Sequence, residues 1–361
     1  MASLATHVKD WLVTHHLEHT RAQLLWSVAI SGALAVGGLA IAAWLAGYGK
    51  MPDLFTGAAW VWFPIALAGE LVTYTGYTLA YHNLAKLEPG RELGLPRLLA
   101  LVANGFGAFI PRGGFAADYR VLVETGMEEH EARRSVLAIA ALEYVILAPA
   151  ACISAIYLLL VSKVAHPAFT YPWAIAVPVG FGIGFALLAK RKGWHRRSGW
   201  RKKLADGLDL LYDLKRLAQR PLKLGIAAYG GMILYWAGDV FILWACLRAF
   251  LGHAPTLPVL IVGYATGYAL TRRTLPLAGA GVVELFLPFA LHWLGVPLAP
   301  AVLAVLAYRI FNLWLPLIPA VAGYRSIRRT FDSDSSRPAF SHAGAGNEAR
   351  VTRGREWVSR S

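Results

Sequence analysis

Charge is what this sequence has least of. Only 16% of its 361 residues are Asp, Glu, Lys or Arg, while 57% are hydrophobic. A soluble domain carries about 25% charged residues. Acids are the scarcer sign, 21 against 35 basic residues, which leaves a formal net charge of +14. Cysteine is nearly absent: Cys152 and Cys246 stand far apart in apolar runs. That excludes a disulfide framework or a metal knuckle, and both read as buried small hydrophobes. No Gly-x-Ser-x-Gly, Walker or His-Glu-x-x-His pattern occurs. ATP-driven pumping by this chain and zinc chemistry are therefore not expected. His15-His16-Leu17-Glu18-His19 and His130-Glu131 read as solvated loop histidines. The balance excludes a disordered protein and argues against a soluble enzyme or a nucleic-acid binder. No cofactor and no nucleic-acid partner are expected.

What is there is a set of long apolar runs. A bilayer-spanning helix needs about 20 apolar residues. Residues 25–47, 55–84, 136–161, 171–188, 224–250 and 300–324 qualify. Glu70, Glu143, Asp239 and Arg309 interrupt four of them. Two apolar pieces are too short. Residues 98–110 run into Pro111-Arg112-Gly113-Gly114, and residues 257–270 into Thr271-Arg272-Arg273-Thr274-Leu275-Pro276.

Orientation follows Lys and Arg. Residues 190–220 hold 11 of them against 3 Asp, and residues 325–361 hold 8 Arg against 4 acids. Both segments are expected on the cytoplasmic side of the plasma membrane, with both termini inside. The polar lead of about 24 residues is long for a signal peptide, so the first run reads as an uncleaved anchor. Leu204, Leu208, Leu211 and Leu214 recur at helical spacing in the basic loop. They suit either a helix lying on anionic lipid or a solvated linker helix. The chain after residue 329 reads as disordered.

The sequence also repeats. Aligning Gly126 with Gly295 brings Ala132, Val136, Leu137 and Ala138 onto Ala301, Val305, Leu306 and Ala307 without a gap. Upstream, Pro111-x-x-Gly114 answers Pro276-x-x-Gly279-x-Gly281, and Gly105-Phe106 answers Gly267-Tyr268. The charge rule gives the two copies opposite orientation, as in many transporters. The expected fold is an all-α polytopic membrane protein. About six spanning helices and two re-entrant hairpins, with tips at 111–114 and 272–281, would form an inverted repeat. An eight-span bundle is the alternative. Residues 1–24 form a cytoplasmic lead, 25–328 the membrane domain and 329–361 the tail. The repeats cover about 25–162 and 171–328, with the basic loop at 190–221.

Each charge at the centre of a membrane helix costs about 2.5–3.5 kcal/mol or more, so each needs a partner, water or a ligand. For Glu70 and Asp239 the simplest role is a salt bridge that fixes helix packing. The glycine-rich tips carry the stronger functional signal. Glycine lets backbone N–H groups approach a ligand, and a half-helix follows with its N-terminus exposed. Arg112, Arg272, Arg273 and Arg309 suit phosphate by bidentate hydrogen bonding. The candidate substrate-binding residues are Arg112, Gly113, Gly114, Arg272, Arg273, Gly279, Gly281, Glu284 and Arg309. Glu143 and Asp239 are candidates for charge balance or a proton relay.

These residues resemble a known family. Leu275 through Glu284, then Leu294-Gly295-Val296-Pro297, Tyr308-Arg309 and Trp314-Leu315-Pro316 are similar to a signature of the lysylphosphatidylglycerol synthase transmembrane region, also called flippase-like integral membrane proteins. Phe109 through Gly114 and Ser135 through Tyr144 echo its first signature. Leu277 and Ala278 stand where the common pattern has Pro and Gly. The resemblance covers roughly residues 25–330. It implies a bacterial plasma-membrane protein, some of whose relatives move aminoacylated phospholipid between leaflets. By match to the motif, Gly279, Gly281, Glu284 and Arg309 carry over. About 35 polar residues follow the last span, too few for an aminoacyl-transferase domain, so lysine transfer is not expected from this chain.

The leading expectation is a non-enzymatic lipid translocator, whose partners are membrane lipids, anionic or aminoacylated phospholipid foremost. Alternatives are an intramembrane transferase, a channel or secondary transporter for a small ion or solute, and a non-catalytic partner of a separate biosynthetic enzyme.

Overall fold

The computed structural model describes residues 21–85, 119, 122–123, 128–161, 166–194, 222–269 and 279–316. Within them every regular element is a helix. In chain order these are α1 (Arg21–Ala46), α2 (Met51–Thr56), α3 (Trp62–Ala85), α4 (Glu129–Val161), α5 (Pro167–Trp194) and α6 (Leu222–Leu251). Then come α7 (Leu257–Tyr264), α8 (Val282–Trp293) and α9 (Leu298–Arg309). Two π-helical turns extend this set: Ala265–Ala269 continues α7, and Ile310–Trp314 continues α9. The expected first hairpin, with Arg112, Gly113 and Gly114, lies outside the described residues. So do Arg272, Arg273, the basic loop beyond Trp194 and the tail.

Four described helices contain stretches long and apolar enough to cross a membrane: Trp26–Ala46, Glu131–Val161, Pro167–Ala189 and Ala227–Leu251. The run expected at 55–84 is broken. A non-helical break at residues 57–61 separates α2 from α3, and the Ala59 amide there donates to the Ala249 carbonyl of α6. The 24-residue α3 is long enough to span about 36 Å but carries Glu70, Thr73, Thr75, Thr78 and Asn83. Helix α4 starts seven residues before the apolar run that marks it, because Glu129 and Glu131 favour a helix N-terminus.

The centre of the molecule is the α3–α6 crossing. It is antiparallel and made of glycine. A methyl group placed on Gly76 would lie 2.4 Å from the Tyr235 nitrogen, and one on Gly231 would lie 2.6 Å from the Ala80 nitrogen. One on Gly238 would lie 2.8 Å from the Thr73 nitrogen, and one on Gly69 would meet Ile242 at 2.9 Å. The contacts come in exchanged pairs, Gly69 with Gly238 and Gly76 with Gly231. Small residues let helices approach closely where lipid removes any hydrophobic drive to associate. Around this pair pack Tyr77, Tyr81, Met232, Tyr235, Ile242 and Cys246, all buried. Cys152 and Cys246 are buried and unpaired.

Helices α7 and α8 form a second antiparallel pair. Gly263 faces Leu291 and Leu294, while Gly267 lies against the Leu287 backbone. The limbs are short. The 12 residues of α8 reach about 18 Å, against roughly 30 Å of hydrocarbon. Trp173 of α5 donates to the Thr266 hydroxyl at 2.8 Å, holding the π turn from outside.

Candidate functional site

Two glycines with positive φ lead into α8, Gly279 at 67° and Gly281 at 84°. That region is open to glycine at little cost and strained for other residues. Gly281 then begins α8. Its N–H donates to Glu284 Oε2 at 2.7 Å. Helix N-termini leave such amides without intrahelical partners, and a carboxylate three residues on satisfies one.

The tip touches α1 near its centre. A methyl group on Gly38 would lie 2.4 Å from the Gly281 carbonyl oxygen, and one on Gly281 would lie 3.0 Å from the Leu34 carbonyl oxygen. Val36, between these contacts, is the middle residue of the apolar stretch Trp26–Ala46. It lies about 15 Å from either end. Gly281 therefore stands beside the half-length of a helix long enough to cross a membrane.

Behind the tip the buried polar residues converge. Arg309 of α9 donates from Nε to Glu284 Oε1 at 2.6 Å, with 1% and 0% of the two side chains exposed. The guanidinium carbon also lies 6.0 Å from the Tyr268 ring centre. The Tyr268 hydroxyl donates to Asn312 Oδ1. Asn312 Nδ2 in turn donates to Asp239 Oδ1 at 2.5 Å. Tyr308 donates to the same oxygen at 2.9 Å, and Tyr264 donates to Oδ2. Asp239 of α6 is thus a fully buried carboxyl group that accepts from Tyr264, Tyr308 and Asn312. Tyr268 and Asn312 both sit in π turns, which recur at functional places in helices.

Of the sequence candidates, Gly279, Gly281, Glu284 and Arg309 come together at one place, and Asp239 joins them through Asn312 and Tyr268. Glu143 is buried on α4, where the Trp236 indole donates to its backbone carbonyl at 3.0 Å. Trp236 lies one turn from Asp239 on α6. Tyr264, Tyr268, Tyr308 and Asn312 were not among the sequence candidates. Their signal was there: polar-tipped residues at i, i+4 (Tyr264 with Tyr268, Tyr308 with Asn312) inside otherwise apolar short helices. Among the described residues no group of three or more His, Cys, Asp or Glu is placed to hold a metal.

Chemically, the arrangement presents a backbone amide and a guanidinium that converge on one oxyanion position at mid-depth. Here the Glu284 carboxylate fills it. No curated protein matches the chain. The family model for the lysylphosphatidylglycerol synthase TM region does match, over residues 24–320, so the chain belongs to that family and is an integral membrane protein.

Proposed function

We propose that this protein is a lipid translocator of the plasma membrane, moving a phospholipid with an anionic or aminoacylated headgroup between leaflets and catalysing no covalent step. The observation that carries the reading is the glycine tip at the half-depth of α1, backed by the Arg309–Glu284 pair. Non-helical backbone at that depth persists only where protein or a wet cavity surrounds it. A midplane site next to a broken helix is where transporters bind their cargo. In this reading α7 and α8 form a re-entrant hairpin, and Arg309 meets the headgroup phosphate.

The inverted repeat belongs to the same proposal. One offset carries Gly69, Thr73, Gly76 and Ala80 of α3 onto Gly231, Tyr235, Gly238 and Ile242 of α6. The contacts that cross the pair are exchanged under that offset, as a two-fold axis in the membrane plane requires. Rocking of one repeat against the other about this axis would open the site to each leaflet in turn. The Lys/Arg-rich segments put both termini in the cytoplasm, and anionic lipid there is the natural surface for the basic loop.

The test is transport. Purified protein in liposomes with labelled phosphatidylglycerol should speed its exchange between leaflets, and Arg309→Gln should abolish the gain while folded protein persists. Exchange no faster than in empty liposomes removes the translocator reading. Exchange unchanged by Arg309→Gln removes Arg309 from it. Leak of small ions without lipid exchange would favour a channel or secondary transporter instead.

A further inference from the structure

The Glu284 carboxylate occupies the place of a ligand. Its two oxygens are spent on different groups: Oε2 accepts the Gly281 N–H at 2.7 Å, and Oε1 accepts Arg309 Nε at 2.6 Å. Those are the two groups in this site with which a phosphate oxygen would bond, an amide at a helix N-terminus and a guanidinium. The side chain is fully buried, so neither bond is shared with bulk water. An anion cannot reach Arg309 Nε or the Gly281 amide while Glu284 holds both.

The surroundings allow the exchange. On the α9 side the hairpin is fastened by the Arg309 pair and by the hydrogen bonds from Tyr264 and Tyr268 towards Asp239. On the α1 side, among the described residues 26–46, the buried ones are Ser31, Ala35, Gly38 and Ala42. Ser31 spends its hydroxyl on the Ser27 carbonyl of its own helix, at 2.7 Å. Among the described residues no hydrogen bond or ion pair joins α1 to the tip. Among the described residues, parting Gly281 from α1 therefore breaks van der Waals contact. It would expose Gly281 to the lipid phase, where a phospholipid can bring its phosphate while keeping its tails in hydrocarbon.

We infer that Glu284 is a built-in stand-in for a phosphate oxyanion, a competing internal anion that the phosphate displaces from Arg309 and Gly281. The inference rests on the translocator reading for its lipid but not for its chemistry. Glutamine at 284 keeps an acceptor for the Gly281 amide and removes the competing charge.

The experiment compares the parent protein with Glu284→Gln, both full length and in nanodiscs. Native mass spectrometry should find at least tenfold more phosphatidylglycerol retained by Glu284→Gln than by the parent, with the phosphate-free lipid diacylglycerol unchanged. The gain should vanish in Glu284→Gln with Arg309→Gln. Inorganic phosphate added to Glu284→Gln in detergent is the second arm. A rise in its unfolding temperature without lipid retention assigns the site to free phosphate. Lipid retention alone assigns it to a headgroup. Folded Glu284→Gln showing neither effect overturns the inference. Should that variant not fold, infrared difference spectra of the parent decide. Phosphatidylglycerol should shift a carboxylate stretch, and a silent carboxylate region overturns the idea. A parent that moves no labelled lipid defeats the translocator reading and leaves these binding results to stand by themselves.

Discussion

The Arg309–Glu284 pair permits a quantitative test. Both side chains are buried, and the contact is 2.6 Å. Replacing Arg309 by Met would strip Glu284 of its cation and leave its carboxylate with the Gly281 amide alone. Removing one partner of a buried pair costs about 3–5 kcal/mol, because the survivor is an uncompensated charge. Glu284→Leu should cost a similar amount by taking the carboxylate acceptor away from a buried guanidinium. The double variant Glu284→Leu with Arg309→Met strands neither and should lie within about 1 kcal/mol of the parent. The cycle then yields a coupling of about 5 kcal/mol or more, several thousandfold in the folded-to-unfolded ratio. Chemical unfolding in detergent, read by tryptophan fluorescence, measures all four corners. Single losses below about 1 kcal/mol that simply add would refute the claim that this pair is desolvated and mutually dependent. The double variant should fold and yet move no lipid, which separates the pair's part in transport from its part in stability.

Three further outcomes follow from the geometry. Gly76→Ala should destabilise by about 1–3 kcal/mol, since its new methyl meets the Tyr235 backbone rather than a side chain that could turn away. Gly180→Ala on α5, with nothing within 4 Å, should be neutral or stabilising in the same unfolding assay. Tyr308→Phe removes one of the three donors to Asp239, at a cost of about 0.6–1.7 kcal/mol for an interhelical bond in a membrane; no change in the unfolding midpoint would deny that bond any weight. Leu34 and Val282 flank the α1–tip contact and are 47% and 45% exposed. With both replaced by Cys, a short thiol cross-linker should join them and stop lipid exchange, and cleaving the linker should restore it. Exchange that continues across a complete cross-link would mean the α1–tip seam need not open.

Much of this architecture is legible in the residues. The apolar runs place α1, α4, α5 and α6, because backbone groups in hydrocarbon must bond within a helix. The interval from Gly281 to Glu284 foretells a carboxylate folding back onto its own helix start. What hydropathy misses is polar helix, such as the first turn of α4 with its Glu129 and Glu131, and the break between α2 and α3. The partner of Arg309 lies 25 residues away, a distance that no local pattern encodes. Asp239 reads in sequence as an isolated acid awaiting a cation. In the structure its neighbours include hydroxyl and amide donors from two segments, Tyr264 of α7 and Tyr308 and Asn312 of α9 and its π turn, which resemble ordinary core until the helices meet. The glycines of α3 and α6 look like scattered small residues, since only the crossing reveals that Gly69, Gly76, Gly231 and Gly238 share one line of contact.

The short limbs of the hairpin have a last consequence. With 12 residues in α8, the helix acts as a ruler that sets Gly281 about 18 Å from the Trp293 end. One added turn would shift Gly281 about 5.4 Å relative to Gly38, out of the contact that the two bare backbones make there. Insertions in α7 or α8 should therefore be rejected unless α1 is re-spaced to match, so the three segments are bound to change length together.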